Sequence, residues 1–125
     1  MVRTPAESEA AIRQAVERIA TRFDPDRIIL FGSRARGQGG PDSDADLLGV
    51  MRVDSSKRRQ AVQIDLALEG IPIPIDLIVV TPEEVEKYRD AMGTIIREAV
   101  REGKVLYACG TQNDGESWYH VEGNR

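Results

Sequence analysis

The chain has 125 residues, 41% of them apolar, with 17 lysines and arginines against 21 acidic residues for a net charge of −4. That length suits one domain with one hydrophobic core, and the acidic balance argues against a module that grips DNA or RNA mainly by neutralising phosphates. The lone Cys109 excludes an internal disulfide, and one histidine, His120, leaves little for a zinc site or a serine-histidine-aspartate hydrolase.

In chain order, "TPAESEAAIRQAVERIATRF" reads as a helix. Thr4 suits the cap, Pro5 the first turn, and Glu7 stands three residues after Thr4 as a capping box requires. Ile12, Val16, Ile19 and Phe23 form one apolar stripe that expects a sheet beneath it. "DPDRIILFG" gives a turn and a short buried strand, Ile28 to Phe31. "DADLLGVMRV" reads as a second strand, in which Gly49 marks a bulge or a close backbone approach. "DSSKRRQAVQIDLALEG" follows as a helix with a serine cap and Gly70 as its stop. Its "KRRQ" start, from Lys57, reads as a solvated helix face, with a basic contact to a partner or nucleotide as the sharper alternative.

"IPIPIDLIVV" is a third strand, with Pro72 and Pro74 at its start or on an exposed edge. "TPEEVEKYRDAMGTIIREAVREGK" is helical, started by Thr81 and Pro82, stopped by Gly103 and divisible at Gly93. "VLYA" reads as a last short strand. Strands alternating with helices predict an α/β or α+β domain with a small sheet covered by helices. The domain runs over residues 1–108, and 109–125 reads as a polar, flexible tail in which Trp118 and Tyr119 are candidate anchors on a partner. Cys109 reads as a buried or half-buried structural thiol. No apolar run approaches the ~20 residues of a membrane span and "MVRTPAESEA" lacks a secretory signal's apolar segment, so a cytoplasmic location is the default.

The chemistry concentrates in three carboxylates and one loop. Alternate side chains of a strand share a face, so Asp44 and Asp46 converge with Cα atoms ~6.6 Å apart. Asp76 lies among isoleucines, valines and a leucine, where an unpaired carboxylate costs several kcal/mol. With the third strand beside the second, Asp76 completes a three-carboxylate site for magnesium, which takes oxygen ligands and substrate phosphates. The plainer reading treats "PDSD" as a turn and Asp44 as a cap. It explains Asp46 poorly and Asp76 not at all. Gly32 and Ser33 end the first strand before "RARG", offering backbone N–H groups and a hydroxyl to an anion, with Arg34 and Arg36 adding charge. Phosphoryl or nucleotidyl transfer fits carboxylates and phosphate loop together.

"GSRARGQGGPDSDAD", a Gly-Ser pair followed after ten residues by Asp-x-Asp, resembles the signature of the DNA polymerase beta nucleotidyltransferase superfamily, in particular its minimal nucleotidyltransferase (MNT) members. The apolar strand before Gly32 and the later "PIDLIVVTPEE" match as well, and the resemblance runs from about Ala10 to Tyr107. It implies a mixed sheet flanked by helices, with Asp44 and Asp46 as ligands of two magnesium ions. By the same resemblance, Asp76 is a ligand of the ion nearer the nucleophile and helps remove its proton. Gly32 and Ser33 would hold the β- and γ-phosphates of ATP, and Arg36 would contact the γ-phosphate, with a weaker claim for Arg34.

Small MNT proteins often act as antitoxins that transfer AMP from ATP to a tyrosine of a HEPN-domain toxin. The resemblance therefore implies such a partner, and an oligomer formed with it. Two other functions compete: a nucleotide-binding antitoxin acting by contact alone, and transfer to a small molecule such as an aminoglycoside. Gly49 and the polar tail depart from the family pattern, but neither removes a catalytic residue.

Overall fold

The computed structural model describes residues 5–37, 44–53 and 56–109. Thr4 of the expected capping box, the Pro41–Ser43 turn and the tail after Cys109, with Trp118, Tyr119 and His120, lie outside the described residues. The elements are α1 (Pro5–Phe23), β1 (Arg27–Phe31), β2 (Ala45–Val50), α2 (Lys57–Ala67), β3 (Ile75–Val80), α3 (Pro82–Tyr88), α4 (Ile95–Glu102) and β4 (Lys104–Ala108).

The strands form one four-stranded mixed sheet in the order β3-β2-β1-β4. β1 runs antiparallel to both β2 and β4, while β2 and β3 are parallel and joined through α2. Period-two alternation sends side chains to two different cores. Ile28, Leu30 and Leu47 pack with Ile12, Val16 and Ile19 of α1 and Ile64 of α2. Ile29, Phe31, Leu48 and Val50 pack on the other face with Val85 of α3 and with Ile96 and Ala99 of α4. The expected stripe of α1 is therefore real, with Val16 and Ile19 fully buried. Each such aliphatic side chain withdrawn from water contributes about 1.5–3 kcal/mol.

Local signals set the helix ends. Ser56 caps α2 by accepting from the Arg59 N–H. Thr81 and Glu84 form a complete capping box on α3, with Pro82 at its first position. Gly93, at φ +83°, divides the long helical stretch, and Thr94 caps α4 by accepting from the Arg97 N–H. At the far end of α2, Arg18 reaches from α1 and donates to the carbonyls of Ala67 and Glu69 at 3.0 and 2.8 Å. α2 is less amphipathic than its neighbours, with Val62 and Leu66 exposed while Ile64 is buried.

Two expectations change. Gly49 keeps a regular register between Ile28 and Val79, so no bulge forms there, and what an added Cβ would meet is the Met51 side chain, at 2.9 Å from Cε, rather than closely approaching backbone. The irregularity lies instead between Ile28 and Ile29 where β1 meets β4. Cys109 is exposed rather than buried, because β4 ends at Ala108 and the thiol points toward Asp24, 3.7 Å away.

Gly103 ends α4 for want of space. An added Cβ would lie 2.5 Å from both the Ala99 carbonyl and Ile29 Cγ2, and 2.8 Å from the Leu30 carbonyl. Gly103→Ala is expected to cost about 1–3 kcal/mol by overpacking α4 on β1. Urea denaturation monitored by circular dichroism checks this, and an unchanged midpoint would mean that α4 sits less tightly on the sheet.

Candidate active site

β1 is a central strand and ends at Phe31 beneath α4. Gly32 follows at φ +81°, a left-handed conformation that only glycine adopts without strain. The chain then winds into a brief helical turn. The Ala35 and Arg36 N–H groups donate to the Gly32 carbonyl at 3.1 and 3.3 Å, and the Gly37 N–H donates to that of Arg34 at 3.1 Å. Ser33 and Arg34 are half-buried in this turn and Arg36 is exposed.

Sheet register brings the second half of the site against the first. Asp46 on β2 pairs with Phe31 on one side and with Asp76 of β3 on the other, so both carboxylates stand on the α3/α4 face. A Cβ at Gly32 would lie 2.5 Å from Asp46 Oδ2, so the Asp46 carboxylate fills the space a side chain would need. Asp44, just before β2, is exposed, and its charge reaches Asp46. All seven expected residues thus stand at one end of the sheet: Gly32, Ser33, Arg34, Arg36, Asp44, Asp46 and Asp76. Of the two arginines in the turn, Arg34 is half-buried and Arg36 exposed.

The electrostatic burden falls on a different residue from the expected one. Asp76 is exposed at the start of an edge strand, so it does not bear the burial cost its apolar neighbours suggested. Asp46 bears it. Burial first, then the charges of Asp76, Asp44 and Glu98, push its carboxyl above the ordinary aspartate range. Glu98, on α4, is a carboxylate that the sequence pattern did not single out. It accepts a 3.3 Å ion pair from Arg36 Nη1, and Glu102 lies 4.0 Å from the same nitrogen. Glu98 carries no motif, and only the packing of α4 on β1 brings it here.

A groove of about 420 Å³ opens on the same face. Leu48 and Ile78, two residues beyond Asp46 and Asp76 along their strands, form its floor, and Tyr88 and Ile96 form its walls. At its rim, Lys57 donates to Glu84 at 2.6 Å, an ion pair that holds the Glu84 carboxyl below its usual range. Lys57 is thus engaged with α3 rather than simply solvated, while Arg58 and Arg59 are exposed as expected. Exposed Ile95 lines the groove, and exposed Met92 lies three residues before it.

The donor set is oxygen only, which suits a hard divalent cation such as magnesium. Among the described residues, no three carboxylate, histidine or cysteine side chains are drawn together closely enough to hold a metal by themselves. The expected three-carboxylate site is therefore not drawn together among the described residues, and carboxylates so placed suit magnesium only as partial ligands, with phosphate oxygens or water making up the remainder.

The family profile described as nucleotidyltransferase domain matches residues 12–109. The fold is similar to the crystal structure of a candidate nucleotidyltransferase from Sulfolobus solfataricus, with a TM-score of 0.61 at 20% identity, covering 91% of this chain and 96% of that one. No curated protein matches significantly.

Two predictions follow from the packing and charge at Asp46. Gly32→Ala and Gly37→Ala both place alanine at positive φ, but only the first meets another atom within 4 Å. Gly32→Ala is expected to lose about 1–3 kcal/mol more stability than Gly37→Ala in chemical denaturation; equal losses would show that Asp46 moves aside freely. The second concerns pH. A raised carboxyl pKa in the folded state means that the folded protein binds more protons than the unfolded chain between the two pKa values. Stability therefore falls as pH rises through that window. In metal-free buffer, Asp46→Asn is expected to melt above the parent at neutral pH, the two converging as pH drops below about 4. Identical melting temperatures at neutral pH would remove the charge strain.

Proposed function

The chain belongs to the nucleotidyltransferase domain family, and from that premise we propose that it moves AMP from ATP, with magnesium, to the hydroxyl of a tyrosine on a HEPN-type toxin partner. The observation that carries this reading is the register of Asp46, held between the glycine that opens the loop and Asp76. In the proposed reaction the tyrosine oxygen bonds to the α-phosphorus, the bond from that phosphorus to the bridging oxygen breaks, and pyrophosphate leaves with its electron pair. The hydroxyl proton passes to the Asp76 carboxylate. Asp76 suits this role because it is exposed, at the start of an edge strand beside Asp46.

Gly32 and Ser33 bind the far phosphates through backbone N–H and hydroxyl donors, and Arg36 adds charge at the γ-phosphate. Asp44, Asp46 and Asp76 would hold magnesium, which when bound stabilises charge on the phosphate oxygens. A cation there would also offset both the burial and the neighbouring charges that raise the Asp46 carboxyl. The partner supplies the acceptor. The groove beside Asp46 and Asp76, with Ile95 and Met92 exposed near it, supports a site that a second protein covers.

The test is transfer of label from α-labelled ATP, with magnesium, to the partner protein encoded beside this gene. Label is expected on a partner tyrosine, falling at least about 100-fold in an Asp44→Asn, Asp46→Asn double variant. Tight binding and neutralisation of the partner by both proteins, without label, would sink the catalytic reading and leave an antitoxin acting by contact. Label on an aminoglycoside instead would move the acceptor to a small molecule.

A further inference from the structure

We propose that Glu98 is a positioning residue for the phosphate end of the site, holding the Arg36 guanidinium where the far phosphates of a nucleoside triphosphate arrive. The proposal rests on the nucleotide-site reading above and adds a residue that no sequence motif marks.

The geometry is a clamp. Glu98 and Glu102 lie one turn apart on α4, and both reach Arg36 Nη1, at 3.3 and 4.0 Å. α4 is itself a fixed platform, because Ile96 and Ala99 are buried against the sheet and Gly103 leaves no room for a Cβ against β1. Arg36 needs such help. It sits in a turn after the strand ends, and its side chain remains 43% exposed. A free arginine loses rotamer freedom when a ligand immobilises it. Holding the side chain before the ligand arrives removes part of that loss from binding.

Both ion pairs use one nitrogen of the fork. An arginine has five N–H donors, so a guanidinium held through Nη1 still has a second edge with which to meet a phosphate. An exposed pair of this kind adds little to stability. Its effect lies in where it holds the guanidinium. The opposing tendency is repulsion between Glu98 and a triphosphate, since the Glu98 charge is felt as far as Asp46. Replacing Glu98 by alanine removes both effects, and the direction of the change shows which is larger.

The experiment is calorimetric binding of magnesium-ATP and of AMP to the full chain, needing neither partner nor turnover. The proteins compared are the parent, Glu98→Ala, Glu98→Gln, Arg36→Ala and the Arg36→Ala, Glu98→Ala double variant, each checked for folding by circular dichroism. Glu98→Ala is expected to weaken ATP about three- to fivefold, the scale of an exposed ion pair, and to leave AMP unchanged. Glu98→Gln, which keeps an acceptor, should recover most of the affinity, and the double variant should bind like Arg36→Ala. ATP binding that is unchanged or tighter in Glu98→Ala overturns the proposal, as does an equal loss for AMP or full additivity in the double variant. If Arg36→Ala itself binds ATP like the parent, the phosphate role of Arg36 fails. That result is distinct from a failure of Glu98 alone.

Discussion

Everything at this site depends on where Asp46 stands in the sheet. Its strand is hydrogen-bonded on both sides, antiparallel to β1 and parallel to β3, so its position is set by two independent registers. One register places it opposite Phe31, the last residue before Gly32, and the other places it opposite Asp76. A slip of one residue in either pairing would turn the side chain to the opposite core. The apolar residues that follow prevent such a slip, because Leu47 belongs to the α1/α2 core and Leu48 to the α3/α4 core, and both are fully buried. Hydrophobic packing behind the site therefore fixes the polar geometry in front of it.

The same arrangement is unfavourable by itself. A half-buried carboxylate beside three others gains nothing from its neighbours, and burial together with their charges raises its proton affinity. Stability is traded for a locus of concentrated negative charge that a cation would relieve. Gly32 accommodates the crowding by having no side chain, and its left-handed conformation starts the turn that carries Ser33 and Arg36. One glycine thus solves a packing problem and a direction problem together.

Much of this was legible in sequence because it rests on short-range rules. The Asp-x-Asp spacing, the Gly32 turn, the Thr81 capping box and the Gly93 break all depend on residues within a few positions of one another. The placement of β3 beside β2 entered the sequence reading only as a condition, and it is the sheet itself that meets it. What remained hidden depends on distant contacts. Glu98 is an ordinary exposed-helix residue until α4 packs on β1, 62 positions from Arg36 in sequence. The exposure of Asp76 is hidden for a related reason: its apolar neighbours suggest burial, but sheet order puts β3 at an edge. The Cys109 thiol turns outward because β4 ends one residue earlier.

The parts of the site differ in how rigidly they are held, and the difference follows the roles proposed for them. Asp46 is on a strand within the sheet, where two ladders leave its backbone little freedom. Asp76 is on an edge, open to whatever approaches from outside. Arg36 is on a turn, with a long side chain whose direction comes only from its partners on α4. In the proposed function the groups assigned to the reacting centre sit on or beside the sheet, while the group assigned to the far phosphates sits on the turn. Weak ion pairs suit that last position. Both contacts use Nη1, so the rest of the guanidinium fork is left to other acceptors, and a pair this exposed holds the side chain at little cost in desolvation.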